Sequence, residues 1–477
     1  MSRQPVSVPR EIFRAYDIRG LALGADALLT PDLAIRVALA YAGLIDSAAQ
    51  VVVGGDQRTT TPALQQAAIA GLLDAGLDVV DIGRAPSPLV YWATALLTQE
   101  RPTAGLVVTA SHNQPEDNGI KLLHTDVMPL LPEQIQTVAD RVTSGVATGD
   151  RQGDRRLWSP RPVYVHSLAE SFRVQRPLQV AIDPGNGVAT VTARTALQAI
   201  GCEVVAINDD AEEPNPPHTA DPQHANNVRE LAKFVRESGA DLGFAFDGDG
   251  DRLGLVDGRG RRATPDQVLA FLAQDWLSAH PGASIQIDVK TSQAVIDHIN
   301  GLGGHAKFGP VGHSLGKYAM REAGIDFGGE ASTHYYYRID DPPHITDDAV
   351  RTACRIAELA SRTPIEPLLD AVPRYRISPE VKISCPDDRK HTVSAAITEH
   401  ARSRWPVNET DGARIELSSA AAGGWCIIRA SNTTPYLTIV AEARTDAGYE
   451  AVRRISADIL AEQGLDPAPL LSQPPLD

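Results

Sequence analysis

Apolar residues along this chain come in short runs that end in glycine or aspartate, and each run is followed by a helical stretch and a second apolar run. Val51-Val52-Val53 meets Gly54-Gly55-Asp56, continues into a helical stretch over 62–75 and resumes at Asp78-Val79-Val80-Asp81. Val180-Ala181-Ile182 meets Asp183-Pro184-Gly185, continues over 191–200 and resumes at Glu203-Val204-Val205. Ile285-Gln286-Ile287-Asp288-Val289-Lys290 leads over 294–299 to His305-Ala306-Lys307. Such units predict strands covered on both faces and joined by helices, hence three α/β domains. From about Pro373 the pattern changes to alternation, as in Ile415-Glu416-Leu417 and Tyr436-Leu437-Thr438-Ile439-Val440, around one helix. That predicts a smaller C-terminal α+β domain. Polar or Gly/Pro-rich stretches over 144–162, 257–262 and 361–373 are the expected linkers, which sets domains at 1–155, 156–261, 262–371 and 372–477.

A length of 477 residues with 43% hydrophobic and 22% charged residues is ordinary for a globular chain of several domains. The four cysteines (Cys202, Cys354, Cys385, Cys426) are scattered without a Cys-x-x-Cys pair, so neither a zinc site nor a disulfide framework is expected. Met1 to Arg10 has no apolar leader, and no run approaches the ~20 apolar residues of a membrane span, so a cytoplasmic protein without membrane contact is expected. A formal net charge of -16 argues against nucleic acid, and an anionic small molecule would need a locally positive site.

Four loops carry chemistry. Asp247-Gly248-Asp249-Gly250-Asp251-Arg252 follows the apolar segment Leu242–Phe246 and sets three carboxylates at alternate positions between glycines. Oxygen ligands on a tightly curled loop suit a hard divalent cation. An EF-hand is excluded, because its sixth and twelfth positions would be Arg252 and Gly258 instead of Gly and Glu. A cation beside an arginine is what phosphoryl chemistry requires. Thr109-Ala110-Ser111-His112-Asn113 follows the apolar Gly105–Val108 and exposes a hydroxyl nucleophile, with Asn118-Gly119 read as a tight turn that returns Lys121 to its neighbourhood. Gly328-Gly329-Glu330-Ala331-Ser332-Thr333-His334 offers an acid, hydroxyls and an imidazole, as a sugar requires. Arg429-Ala430-Ser431-Asn432-Thr433-Thr434-Pro435 offers a phosphate cradle. Arg19, Lys121, Arg252, Lys290, His313 and Arg429 would supply the local positive charge.

With Phe13-Arg14-Ala15-Tyr16-Asp17-Ile18-Arg19-Gly20 ahead of them, these loops run in the order found in the α-D-phosphohexomutases, and the chain resembles the bacterial phosphomannomutase/phosphoglucomutase branch nearly end to end. The resemblance implies four domains around a central cleft that holds the active site. It implies interconversion of hexose 1-phosphate and hexose 6-phosphate, of mannose or glucose, through a phosphorylated Ser111 and a 1,6-bisphosphate. One Mg²⁺ per chain would be held by Asp247, Asp249, Asp251 and an oxygen on Ser111, with hexose 1,6-bisphosphate as activator. Lys121 and His334 would move protons, and Arg19, His112 and Arg252 would support the phosphoryl group. Glu330 and Ser332 would grip the sugar, with Lys290 and His313 presented to the substrate. Arg429, Ser431, Asn432, Thr433 and Tyr16 would hold the distal phosphate.

Three alternatives stand beside this reading. Gly312-His313-Ser314-Leu315-Gly316 matches the nucleophile elbow of α/β-hydrolases, with Ser314 as nucleophile, although Phe308-Gly309-Pro310-Val311 interrupts the strand the elbow needs. A non-catalytic sugar-phosphate sensor would share the fold, and a phosphoglucosamine mutase would share the chemistry. Three departures from the family pattern stand out: Gln114 where proline is usual, Thr333 where the sugar loop normally has glycine, and Gly55 where many members have arginine, although Asp56 and Arg58 remain. A positive φ at position 333 would strain threonine by about 1–3 kcal/mol.

Overall fold

The computed structural model describes residues 2–4, 6–45, 47–213, 216–431 and 435–476. Its two compact units comprise residues 1–265 with 332–367, and residues 266–331 with 368–477.

The first unit is built on two sheets. In one, the strands run in the order Ile18–Leu21, Asp117–Leu123, Thr103–Val108, Gln50–Gly55, Asp78–Arg84, Arg155–Leu157. Its central strands Gln50–Gly55 and Thr103–Val108 are parallel and buried along their whole length, which is why they read as unbroken apolar runs. Helices Pro31–Ala42, Thr61–Asp74 and Ser87–Thr98 supply apolar cover. The other sheet orders Glu203–Ala206, Gln179–Asp183, Leu242–Phe246 and Leu253–Asp257, the last two joined as an antiparallel pair through the acidic loop. A hairpin of Tyr335–Asp340 and Pro343–Asp347 belongs to the same unit.

The second unit pairs Ser284–Asp288 in parallel with His305–Gly309 and with Phe327–Gly329. It also contains an antiparallel sheet centred on Trp425–Ala430 and Tyr436–Ala443. That sheet carries two long helices, Asp387–Arg402 and Asp446–Glu462, where the sequence pattern suggested one. Exposed Asp, Glu and Arg side chains dilute the apolar stripe of Asp387–Arg402, which buries only a few side chains such as Val393 and Ile397.

Two further local expectations change. Asn118-Gly119 is not a turn: both residues sit inside the strand Asp117–Leu123, opposite Gly20 and Arg19. The Asn118 amide is satisfied there by Thr60 and Thr61, and a Cβ on Gly119 would meet the carbonyl of Thr109 at 2.5 Å, so the glycine serves strand packing. Nor is the stretch 144–162 free of structure, since Arg155–Leu157 adds a parallel edge strand to Asp78–Arg84.

Candidate active site

The buried strand Thr103–Val108 ends just before Ser111, whose backbone takes φ 53°, uncommon for a residue with a side chain. This turn aims the Ser111 hydroxyl at the acidic loop, where Oγ donates to Asp247 Oδ2 at 2.7 Å. The two loops touch because Gly248 has no side chain: a Cβ there would lie 2.1 Å from the carbonyl oxygen of Ser111. Gly250 takes φ 77°, which curls the loop so that Asp247 Oδ1 accepts the N–H groups of Gly250, Asp251 and Arg252.

The three aspartates are buried, and one oxygen from each lies within 4.8 Å of the others. Burial and the charges of Asp251 and Asp249 push the Asp247 carboxyl well above its ordinary range. Burial acts on Asp249 in the same sense, but the Lys121 ammonium and hydrogen bonds from Lys121 and Ser87 outweigh it and hold that carboxyl well below. Asp249 Oδ1 and Asp251 Oδ1 are buried with no hydrogen-bond partner among the described residues. Three buried carboxylates that draw one oxygen each together are the donor set a hard divalent cation fits, and its charge would relieve the mutual repulsion.

The cationic groups are placed around this pair of loops. Lys121 Nζ reaches Asp249 at 2.6 Å and Asp251 at 2.9 Å; burial disfavours its charge, but those carboxylates hold the ammonium well above its ordinary pKa. Arg19 donates to Asp17, to the carbonyl of Ala110 and to the Asn113 side chain, and so grips the serine loop. His112 Nδ1 lies 3.2 Å from Asp221, and burial together with Arg252 lowers its pKa to about 4. Arg252 Nε donates to His334 Nε2 at 2.9 Å, which leaves the His334 proton on Nδ1, facing Asp347 at 2.9 Å. Tyr16 is half-buried just before the strand Ile18–Leu21, and Ser332 is half-buried next to Thr333. Thr333 does take φ 70°, so the strain expected of threonine at this position is present.

Sequence reasoning gave too little weight to Arg58, and it missed Ser87, Asp221 and Asp347. Arg58 donates to the carbonyls of Ser111, Asn113, Gln114 and Asp117 and to Asp56, so it clamps the nucleophile loop from behind. The Asp56-x-Arg58 pair was visible in the sequence. Ser87, Asp221 and Asp347 stand alone in unrelated stretches, where no motif marks them.

In the second unit Glu330 Oε1 accepts the N–H of Gly312, which sets the sugar-loop acid beside His313 at the start of the helix His313–Ala323. Lys290 follows the strand Ser284–Asp288 and pairs with Glu380 at 2.8 Å. Arg429, near the end of the strand Trp425–Ala430, pairs with Asp411 at 3.0 Å. Ser431 is buried, and its N–H donates to Tyr436. Asn432 and Thr433 lie outside the described residues. Ser314 is wholly buried on the same helix, and a hydrolase built on it would leave the acidic loop without a role.

Comparison with known proteins finds relatives along nearly the whole chain. Four models of the phosphoglucomutase/phosphomannomutase family match in succession: alpha/beta/alpha domain I at residues 10–148, domain II at 162–260, domain III at 264–375 and the C-terminal domain at 380–461. A phosphomannomutase/phosphoglucomutase of Pseudomonas putida is 35% identical over 475 residues, which cover 98% of this chain and 99% of that protein. A probable phosphoglucosamine mutase of Methanothermobacter thermautotrophicus is 34% identical over 414 residues, covering 83% of this chain and 86% of the relative. Among solved structures, a phosphoglucomutase/phosphomannomutase family protein from Burkholderia thailandensis superposes with a TM-score of 0.86 at 31% identity, covering 96% of this chain and 98% of that one.

Proposed function

The chain belongs to the phosphoglucomutase/phosphomannomutase family, and from that premise we propose that it interconverts hexose 1-phosphates and hexose 6-phosphates of mannose or glucose by way of phospho-Ser111. The observation that carries the reading is the buried Ser111 hydroxyl, 2.7 Å from one of three converging aspartates. In the forward step an oxygen of the bound sugar attacks the phosphorus on Ser111. The P–Oγ bond breaks, and the proton of the sugar hydroxyl passes to His334 Nε2, once that nitrogen has released the Arg252 N–H it accepts here. The resulting 1,6-bisphosphate turns and returns its other phosphoryl group to Ser111, and the freed sugar oxygen takes a proton. Lys121, held as an ammonium by Asp249 and Asp251, fits the donor of that proton better than the base of the first step. Asp247, Asp249, Asp251 and an oxygen on Ser111 would hold one Mg²⁺, which supplies neutralisation of the charge on the transferring group. Arg19, His112 and Arg252 orient that group, while Glu330, Ser332 and His313 recognise the sugar. Lys290, Arg429, Ser431 and the following Asn432-Thr433, with Tyr16, hold the phosphate that does not react. Hexose 1,6-bisphosphate would act as activator by loading Ser111.

The substrate assignment is open to one rival within the family, a phosphoglucosamine mutase, because a relative of that name matches this chain about as well by identity. Rates on mannose 1-phosphate, glucose 1-phosphate and glucosamine 1-phosphate with Mg²⁺ decide between them. Intact mass should gain one phosphoryl group after incubation with glucose 1,6-bisphosphate, and Ser111→Ala should gain none and turn over no substrate. EDTA should silence the wild type and Mg²⁺ should restore it. Full activity of Ser111→Ala would refute the mechanism. Among the described residues no helix is long and apolar enough to cross a membrane, as a reaction on small sugar phosphates requires none.

A further inference from the structure

The two cations assigned to the distal phosphate are already neutralised by carboxylates of the same unit. Lys290 Nζ sits 2.8 Å from Glu380 Oε2, and Arg429 Nη2 sits 3.0 Å from Asp411 Oδ2. Two positive and two negative charges leave nothing net for a phosphate dianion to find. The carboxylates differ, however, in what else they do. Asp411 Oδ2 also accepts the N–H of Val311, two residues before the helix His313–Ala323, so it is anchored in place. Among the described residues the Glu380 carboxylate accepts a hydrogen bond from Lys290 alone, and its side chain keeps 29% of its surface in water while Lys290 keeps 10%. It can therefore swing outward while the ammonium stays.

Glu380 also feels both cations of the cradle. The Lys290 ammonium, against the opposing effect of burial and with a smaller contribution from Arg429, holds its carboxyl below the usual range. Lys290 in turn feels Glu380, Asp288 and Arg429, which places the three charges within electrostatic reach of one another. Lys382 also acts on Glu380 in the same sense. An anion held by Lys290 and near Arg429 stands where the function above puts a phosphate.

We propose that Glu380 is a built-in competitor of the substrate's non-reacting phosphate, a carboxylate that occupies Lys290 when no sugar phosphate is bound and reclaims it when one leaves. The inference rests on the assignment of Lys290 and Arg429 to that phosphate. It also gives the competitor a purpose. A bisphosphate that must turn end for end between two transfers has to release its distal phosphate midway, and a carboxylate waiting at the same ammonium lowers the cost of that release. Holding the phosphate as tightly as two unopposed cations could would stabilise the bound ground state and slow the turn.

Calorimetric titration of the full-length protein with glucose 6-phosphate and, separately, with inorganic phosphate tests the proposal. Glu380→Gln should bind both about two- to fivefold more tightly, the size of one partly exposed charge interaction removed. Glu380→Ala should tighten binding as well, and a thermal melt checks that each variant is folded. In a Lys290→Met background Glu380→Gln should tighten nothing, because the contested ammonium is gone. Unchanged or weaker binding in folded Glu380→Gln and Glu380→Ala would overturn the proposal and make Glu380 a mere prop for Lys290. Arg429→Ala separates the two levels of inference: if it leaves wild-type affinity for both ligands unchanged, the assignment of the phosphate cradle itself fails.

Discussion

Arg58 uses every donor it has: Nε on Asp56, one terminal nitrogen on the carbonyls of Gln114 and Asp117, the other on those of Ser111 and Asn113. A guanidinium so saturated has nothing left for substrate. What it does is fix a loop whose nucleophile sits at an unfavourable φ and where Gln114 replaces the first of two usual prolines, a residue that leaves its own backbone freer. Lysine cannot reproduce a planar five-donor fork, and alanine would leave four loop carbonyls without the donor they now have. Misplacing a reacting group by about 1 Å costs on the order of 10²-fold in rate. Arg58→Lys is therefore expected to lower kcat on that order while KM for glucose 1-phosphate changes far less, and to slow the loading of Ser111 seen by intact mass. A variant with normal kcat and normal loading would show that the loop holds its shape without the clamp. The residue was legible only as half of Asp56-x-Arg58, because its partners are backbone atoms, and carbonyls leave no mark in a sequence.

The helix Pro265–Ala279 shows a similar gap between pattern and placement. Its apolar residues announce a buried helix, yet its second residue is the half-buried Asp266, which accepts the N–H of Ser292. Burial, with Glu442 and Asp288 nearby, raises the Asp266 pKa to about 7. The folded pKa lies above the unfolded value near 3.9, so the group's contribution is fully present below about pH 4 and is lost as pH rises toward 7. Asp266→Asn keeps an oxygen acceptor and removes the charge. Urea unfolding should find the variant more stable than wild type at pH 8, by an amount of order 1–4 kcal/mol, with the gap closing at pH 4 to 5. A gap that does not change with pH would mean the carboxyl stays charged or finds a partner. Apolar runs at Val51–Val53, Val180–Ile182 and Ile285–Val289 announced their strands because covered strands are apolar on both faces. Asn118-Gly119 misled for the opposite reason: a buried asparagine satisfied by two threonines looks, in one dimension, like a turn.

The chain as a whole carries a formal charge of -16 and is proposed to capture a dianion. The loops that bear its chemistry were legible because metal and phosphate chemistry concentrates glycine, aspartate and arginine within a few neighbouring positions. The carboxylates and serine that tune those loops, Asp221, Asp347, Glu380 and Ser87, come from distant segments and emerge only when the chain is folded. Their presence means that the site's cations are buried and locally paired, as with Lys121 between Asp249 and Asp251. Long-range repulsion by the surface and short-range attraction by the site should then respond to salt in opposite degrees. Raising NaCl from about 10 mM to about 150 mM shortens the Debye length from about 30 Å to about 8 Å, which screens exposed charges and leaves buried pairs nearly untouched. Repulsion weakens while the hold on the phosphate persists, so kcat/KM for glucose 1-phosphate at saturating Mg²⁺ should stay level or rise by about two- to threefold over that range. A protein that captured its substrate through exposed lysines and arginines would lose rate instead. A tenfold fall would place the capturing charge on the surface and away from Lys121, Lys290 and Arg429.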